Sequence, residues 1–232
     1  MREENDMNIG LGILSVLLCF GAVILMDRLF GKEGLLVWVS LATVIANVVV
    51  CKTVGIFGLV SSLGNIMFAS NFLATDIIVE KYGKDLSKKA VLLGFISTII
   101  FVVATQIALA FIPDESDVVH ESMKNLFSIN LRTSVASITM YLASNMLDIW
   151  LFDKIKQKVP GKLWLRNNVA TIISNCSENF FFAFLAFAGI MSIPTIISIA
   201  ITGSIIEILI AFCDTPFLYI AKFWKKKDEV VI

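Results

Sequence analysis

The stretch FLATDIIVEKYGKDLSKKA, residues 72–90, ends a long apolar run with an aspartate and a glutamate and then turns abruptly basic. An apolar run closed in this way reads as a membrane span that meets a basic loop on its inner side. The rest of the chain repeats the pattern. Of its 232 residues 57% are hydrophobic and only 16% charged, with mean hydropathy +0.85, which is too apolar for a domain whose surface must be wetted by water. A span needs roughly 20 mostly apolar residues to cross about 30 Å of hydrocarbon. Runs of that kind lie at residues 9–29, 34–51, 55–79, 90–112, 128–152, 168–190 and 195–221. They predict an all-α, polytopic transmembrane helical bundle of about seven spans, with no soluble domain left over.

Net charge is formally zero, but the cations are unevenly placed. Arg28 and Lys32 follow the first run, and Lys81, Lys84, Lys88 and Lys89 follow the third. Lys154, Lys156, Lys158, Lys162 and Arg166 follow the fifth, and Lys222, Lys225, Lys226 and Lys227 follow the seventh. These are fifteen of the nineteen Lys and Arg residues, so every second loop is basic. The positive-inside rule then places the N-terminus outside and the C-terminus in the cytoplasm. The outer loop PDESDVVHES, from Pro113, is acidic, as that side permits.

Several function classes fall away. REEND before the first run gives no positive n-region, so that run reads as a retained helix and not as a signal peptide. The four cysteines sit within spans without a CxxC pair, so neither a disulfide framework nor a zinc site follows. No Walker A string, GxGxxG, HExxH or GxSxG occurs, and the single His120 lies in the acidic loop, so nucleotide hydrolysis and intramembrane catalysis lack their residues. The basic residues are accounted for by topology, which removes nucleic acid as a partner. No cofactor or metal is expected.

An ionisable group near the bilayer centre is costly and usually faces a partner or a pathway. Asn65 and Asn71 in the third span, Glu178 and Asn179 in the sixth and Glu207 in the seventh fall within roughly 6 Å of their span centres. Asp76 and Asp148 fall about 12 Å toward the basic side, and Arg132 a similar distance toward the other. In the sixth span Asn168, Thr171, Asn175, Glu178 and Asn179 recur at helical spacing and make one polar stripe. The fifth span carries a second, from Ser134 and Ser137 through Tyr141, Ser144 and Asn145 to Asp148. Facing stripes, with rings such as Phe68, Phe72, Phe181 and Phe184, would line a cleft for a planar polar ligand. The plainer reading makes Asn65, Asn145 and Ser137 interhelical glue, lets Asp148 snorkel, and pairs Asp76 and Glu80 locally with Lys84, Lys88 or Lys89. Glu178 resists it, because no basic residue lies at its depth in any span.

The string LATDIIVEKYGKDLSKKA, together with NMLDIWLFDKIKQ and LWLRNNVATIISNCSENFFFAFLAF, resembles the queuosine precursor transporter family, also described as vitamin uptake transporters. The resemblance covers most of the chain from about Val39 to Phe223. It implies uptake of 7-deazaguanine bases, the 7-cyano and 7-aminomethyl forms, for salvage into the queuosine of transfer RNA. At the matching positions it points to Asp76, Asn175 and Glu178, with Arg166 and Asn168 at the inner end. The family often shows Asp-Thr where this chain has Glu178 and Asn179, and the first run looks additional to a six-helix core. Residues 1–232 are thus expected to form one integral membrane transporter domain, with 9–29 the extra span and 34–222 the core.

The expected function is import of a nucleobase-like metabolite across a bacterial cytoplasmic membrane by alternating access at a midplane polar site. Glu178, Asn179, Asn175, Asp76 and Asn71 are the expected substrate contacts, with Glu178 the principal acceptor of ligand N–H groups. Glu207 and Asp148 are the expected proton or ligand coupling groups. A second reading makes the chain a membrane-embedded binding subunit that depends on a separate ATPase module. The sequence contains no sign of such a partner and leaves the oligomeric state open.

Overall fold

The computed structural model describes residues 2–56, 59–127 and 131–224. Seven α-helices are found there: α1 (Arg2–Val49), α2 (Gly64–Lys81), α3 (Lys84–Ala110), α4 (His120–Phe127), α5 (Leu131–Lys158), α6 (Leu163–Phe187) and α7 (Ile193–Phe223). Between α1 and α2 lies a two-stranded antiparallel hairpin, β1 (Thr53–Ile56) and β2 (Leu59–Ser62), in which Thr53 is paired with Ser62 and Ile56 with Leu59. All but α2 and the short α4 contain a stretch long and apolar enough to cross a bilayer, and large apolar side chains such as Leu18, Ile100, Val103, Phe181 and Leu209 cover the outside of the bundle. The architecture is an all-α membrane bundle.

α1 is two helices in one. Gly31 has φ 60° and ψ −135°, which is not helical, and the chain turns there so sharply that Gly34 is driven against the Met26 carbonyl. The positive φ favours glycine at 31, and the close approach requires it at 34. A Cβ on residue 34 would collide with the Met26 carbonyl oxygen and stand 2.9 Å from the Phe30 Cβ. Gly34→Ala is therefore expected to destabilise the protein by about 1–3 kcal/mol, seen as earlier thermal unfolding in detergent. Gly21→Ala, where a Cβ meets nothing within 4 Å, is the matched control and should unfold with the parent.

The third span is shorter than the hydropathy predicts. Residues 55–79 read as one apolar run, but 53–56 and 59–62 pair as two strands and the helix starts only at Gly64. The physical reason lies in TVGIFGLVSS: β-branched and aromatic residues punctuated by glycine suit a hairpin as well as they suit hydrocarbon, and hydropathy does not tell the two apart. Two depths change with the observed helix ends. Asp76 and Asp148 are each about 5 Å from the midpoints of α2 and α5, not the 12 Å the sequence suggested.

α2 is the centre of the bundle. It packs against α1, α3, α5 and α7, and every residue from Ala69 to Val79 is buried. Leu73 and Ile77 join Phe20, Leu35, Ile149, Phe152 and Leu218 in the main apolar core. α5 runs along α6 and α6 along α7, so these three helices and α2 surround one polar interior. α2 stops at Tyr82, and Gly83, with φ 93°, turns the chain into α3. α7 is capped by Ser192, whose Oγ accepts the Thr195 N–H, and carries Pro216 within its length. In the loop before α4, Asp114 accepts the Ser116 hydroxyl (2.6 Å) and N–H (3.0 Å), which hold its carboxyl below the usual range. The side chains of Arg132 and Ser134, and Lys225 to Lys227, lie outside the described residues.

Candidate functional site

The polar stripes of α5 and α6 face each other, and the pairing is in register. Ser144 Oγ donates to Glu178 Oε2 at 2.5 Å, and Ser174 Oγ donates to Asp148 Oδ1 at 3.1 Å. Four residues separate each pair of partners along both helices, one turn, so the two contacts stack along the same seam. α7 completes the wall: Asn179 Nδ2 donates to Glu207 Oε2 at 2.6 Å, and Asn167 Nδ2 to Asp214 Oδ1 at 2.5 Å. Gly203 makes the first of these possible, since any Cβ there would collide with the Asn179 carboxamide.

The interior thus has an upper and a lower tier. The upper tier holds Glu178, Ser144, Asn179 and Glu207, all but Ser144 only partly buried. Nearby, Asn71 Nδ2 donates to Thr43 Oγ1 (2.8 Å), which lies 3.1 Å from the Tyr141 hydroxyl. A cavity of about 10 Å³, room for one water, is lined by Thr43, Phe68, Ser137 and Tyr141. The lower tier holds Asp76, Asp148 and Asp214, each with no exposed surface, with Asn167, Asn168, Thr171 and Ser174 around them. The three carboxyls are close enough to act on one another electrostatically, and Asp148 accepts from Ser174 while Asp214 accepts from Asn167. Among the described residues, no donor reaches either Asp76 oxygen, Asp148 Oδ2, Asp214 Oδ2 or Asn175 Oδ1. Asn175 lies on α6 between the tiers.

Beneath the lower tier an ionic cluster ties four helices at the basic end. Glu80 on α2 accepts Arg166 Nη2 from α6 at 2.6 Å, Lys156 Nζ from α5 at 3.3 Å and Lys222 Nζ from α7 at 3.1 Å. Lys156 also donates to the Val79 and Glu80 carbonyls, both at 3.0 Å. Arg166 donates to the Pro160 carbonyl (2.8 Å) and lies over the Phe152 ring. The expected local pairing of Glu80 with Lys84, Lys88 or Lys89 is therefore corrected. Lys84 bonds Asp153 at 3.0 Å, and the continuation of α3 carries Lys88 and Lys89 to exposed positions. Lys81 pairs with the buried Asp27 of α1 at 2.5 Å.

The structure groups the sequence candidates in two sets. Glu178, Asn179 and Glu207 come together above, with Asn71 reaching the same region through Thr43 and Tyr141; Asp76 and Asp148 come together below. Two expected cleft residues do not take part: Phe181 and Phe184 are exposed on the outside of α6, where the hydrocarbon accommodates their rings. Phe72 is buried, and Phe68 is tilted against Tyr141 at 6.5 Å. Asp214, Asn167 and Asp27 were not singled out from the sequence. The signal for Asp214 was present: it lies seven residues, two turns, beyond Glu207 and so on the same face of an otherwise apolar helix.

Known proteins resemble this chain along most of its length. The model of a family described as putative vitamin uptake transporter matches residues 62–221. A Bacillus subtilis (strain 168) protein named probable queuosine precursor transporter is 35% identical over 219 residues, which cover 94% of this chain and 96% of that protein. An Escherichia coli (strain K12) queuosine precursor transporter is 27% identical over 158 residues, 66% of this chain and 68% of its own. No solved structure matches. With a family model across most of the chain and a full-length relative above 30% identity, the chain belongs to the queuosine precursor transporter family and is a multi-pass membrane transport protein, not an enzyme.

Proposed function

We propose that the protein imports queuosine precursors, 7-cyano-7-deazaguanine or its 7-aminomethyl form, across a bacterial cytoplasmic membrane with its N-terminus outside and C-terminus inside. The observation that carries the reading is a carboxylate-rich interior shared by α2, α5, α6 and α7 in a chain whose relative along nearly its whole length is named for this substrate class. A guanine-like edge is rich in N–H donors, and an ionised carboxylate is an acceptor at both oxygens. Glu178 is the principal acceptor, and Asn175, Asn179 and Asn71 fix the orientation of the base. The partly buried upper tier is the side from which a ligand arrives, and the basic end beneath Asp76 is the exit. Alternating access follows from opening one end of the four-helix interior while the other is closed.

The test is salvage in a bacterium that makes no 7-deazaguanine and lacks its own importer, expressing this chain alone and fed nanomolar base. Queuosine is expected in its transfer RNA. Its absence, with the protein present in the membrane, would reject this substrate class or the independence from a partner.

A further inference from the structure

We propose that Glu207 decides which queuosine precursor the protein takes: it binds the ammonium group of the 7-aminomethyl base, so that this cationic form is preferred over the neutral 7-cyano form. The inference rests on the substrate reading above and deepens it at one residue. It starts from the hydrogen bonds of the upper tier. Glu178 takes the Ser144 hydroxyl at 2.5 Å and Glu207 takes the Asn179 amide at 2.6 Å, and among the described residues neither acid accepts a second hydrogen bond. Each therefore has an oxygen to spare, and an ionised carboxylate only accepts. The donors around them are already used. An Asn amide has two N–H groups, and those of Asn179 go to Glu207 and to the Asn175 carbonyl (3.0 Å). The Ser204 hydroxyl, one turn before Glu207 on α7, is bonded to the Ala200 carbonyl at 2.8 Å. Asn175, one turn below Asn179 on α6, is 2% exposed, and its Oδ1 meets no donor among the described residues. The Glu207 side of the tier thus presents acceptors in excess.

Among the described residues, no cation of the protein meets that excess. Arg166, Lys156 and Lys222 are gathered on Glu80, Lys81 is bonded to Asp27 and Lys84 to Asp153. Arg166 stands twelve residues before Glu178 and Lys222 fifteen after Glu207, about 18 and 22 Å along their helices. The two precursors differ at one group. Both carry the guanine-like N–H edge, which Glu178 accepts. The aminomethyl group ends in an ammonium, with three donors and a positive charge, whereas the cyano group ends in a nitrogen that only accepts. An ammonium at Glu207 gains a charge-assisted bond, and a nitrile there sets acceptor against acceptor. Glu178 turns from α6 toward α5, while Glu207 is met across the α6–α7 seam by the next residue, Asn179. A base lying over the Asn175 face of α6 therefore has an acid for each of its two donor ends.

The test is equilibrium binding to the purified chain in detergent at neutral pH, where no membrane potential favours a cation. Three ligands are compared: the 7-aminomethyl base, the 7-cyano base and 7-hydroxymethyl-7-deazaguanine, which matches the aminomethyl form in size without its charge. The aminomethyl base should bind about tenfold or more tighter than either neutral one. Glu207→Gln, whose carbonyl can still accept the Asn179 amide, should lose that margin and bind the three bases alike. Equal binding of the three by the parent, or a margin that survives Glu207→Gln, would overturn the assignment and leave the substrate class standing. If none of the three binds the parent, the substrate reading fails and the assignment fails with it.

Discussion

Glu80→Ala is expected to cause the largest loss of stability of any single substitution at the basic end, about 3–5 kcal/mol, measured as unfolding of the purified protein in detergent. The reason is the group left behind. Arg166 is 1% exposed, and without Glu80 its guanidinium keeps the Pro160 carbonyl and the Phe152 ring but has no counter-charge. Removing a cation instead should matter far less. Lys156 and Lys222 are 31% and 42% exposed, so Lys156→Met or Lys222→Met leaves Glu80 with two other cations and costs at most about 1 kcal/mol. Glu80→Gln should resemble Glu80→Ala, since it restores size and not charge. If Glu80→Gln unfolds with the parent, the cluster is a surface accident and does not hold the helices.

Glu178→Gln is expected to leave the fold intact and to weaken substrate binding by about twofold to thirtyfold. Gln is nearly the same shape, and its carbonyl can still accept the 2.5 Å bond from Ser144, so the α5–α6 seam keeps its contact. What disappears is an anionic acceptor, and hydrogen bonds to charged groups contribute about 1.5–3 kcal/mol against about 1 for neutral ones. The effect should appear in the concentration of base needed for half-maximal uptake, with membrane level and unfolding unchanged. Uptake at parental affinity would move the recognition carboxylate elsewhere, to Glu207 or to the lower tier.

The two variants probe parts of the molecule that were unequally visible in the sequence. Glu178 could be read, because hydropathy and helical spacing are local properties and an acid in an apolar helix without a cation at its depth stands out. The partners of Glu80 could not. Arg166 and Lys222 are brought to it by the folding of distant segments, whereas Lys84 is four residues away and offered a plausible local partner that the turn at Gly83 removes. Asp214 was legible and was passed over: the seventh run, 195–221, already contained it, two turns beyond Glu207 on the same face. The strand pair at 53–56 and 59–62 was hidden because transfer from water to hydrocarbon and pairing in a strand select the same side chains.

The central position of α2 also bears on how the protein is made. With Asp76, Glu80 and Lys81 in eighteen residues, α2 is a poor candidate for entering the bilayer by itself, since each charge at depth costs a few kcal/mol of insertion free energy. Its neighbours α1 and α3 are apolar enough to insert and can hold it between them. The ribosome, however, must reach α7, 142 residues beyond Glu80, before Lys222 exists to join Arg166 and Lys156 there. Until α7 emerges, the helix at the heart of the finished bundle is thus a guest of its neighbours, and α7 completes its charge balance.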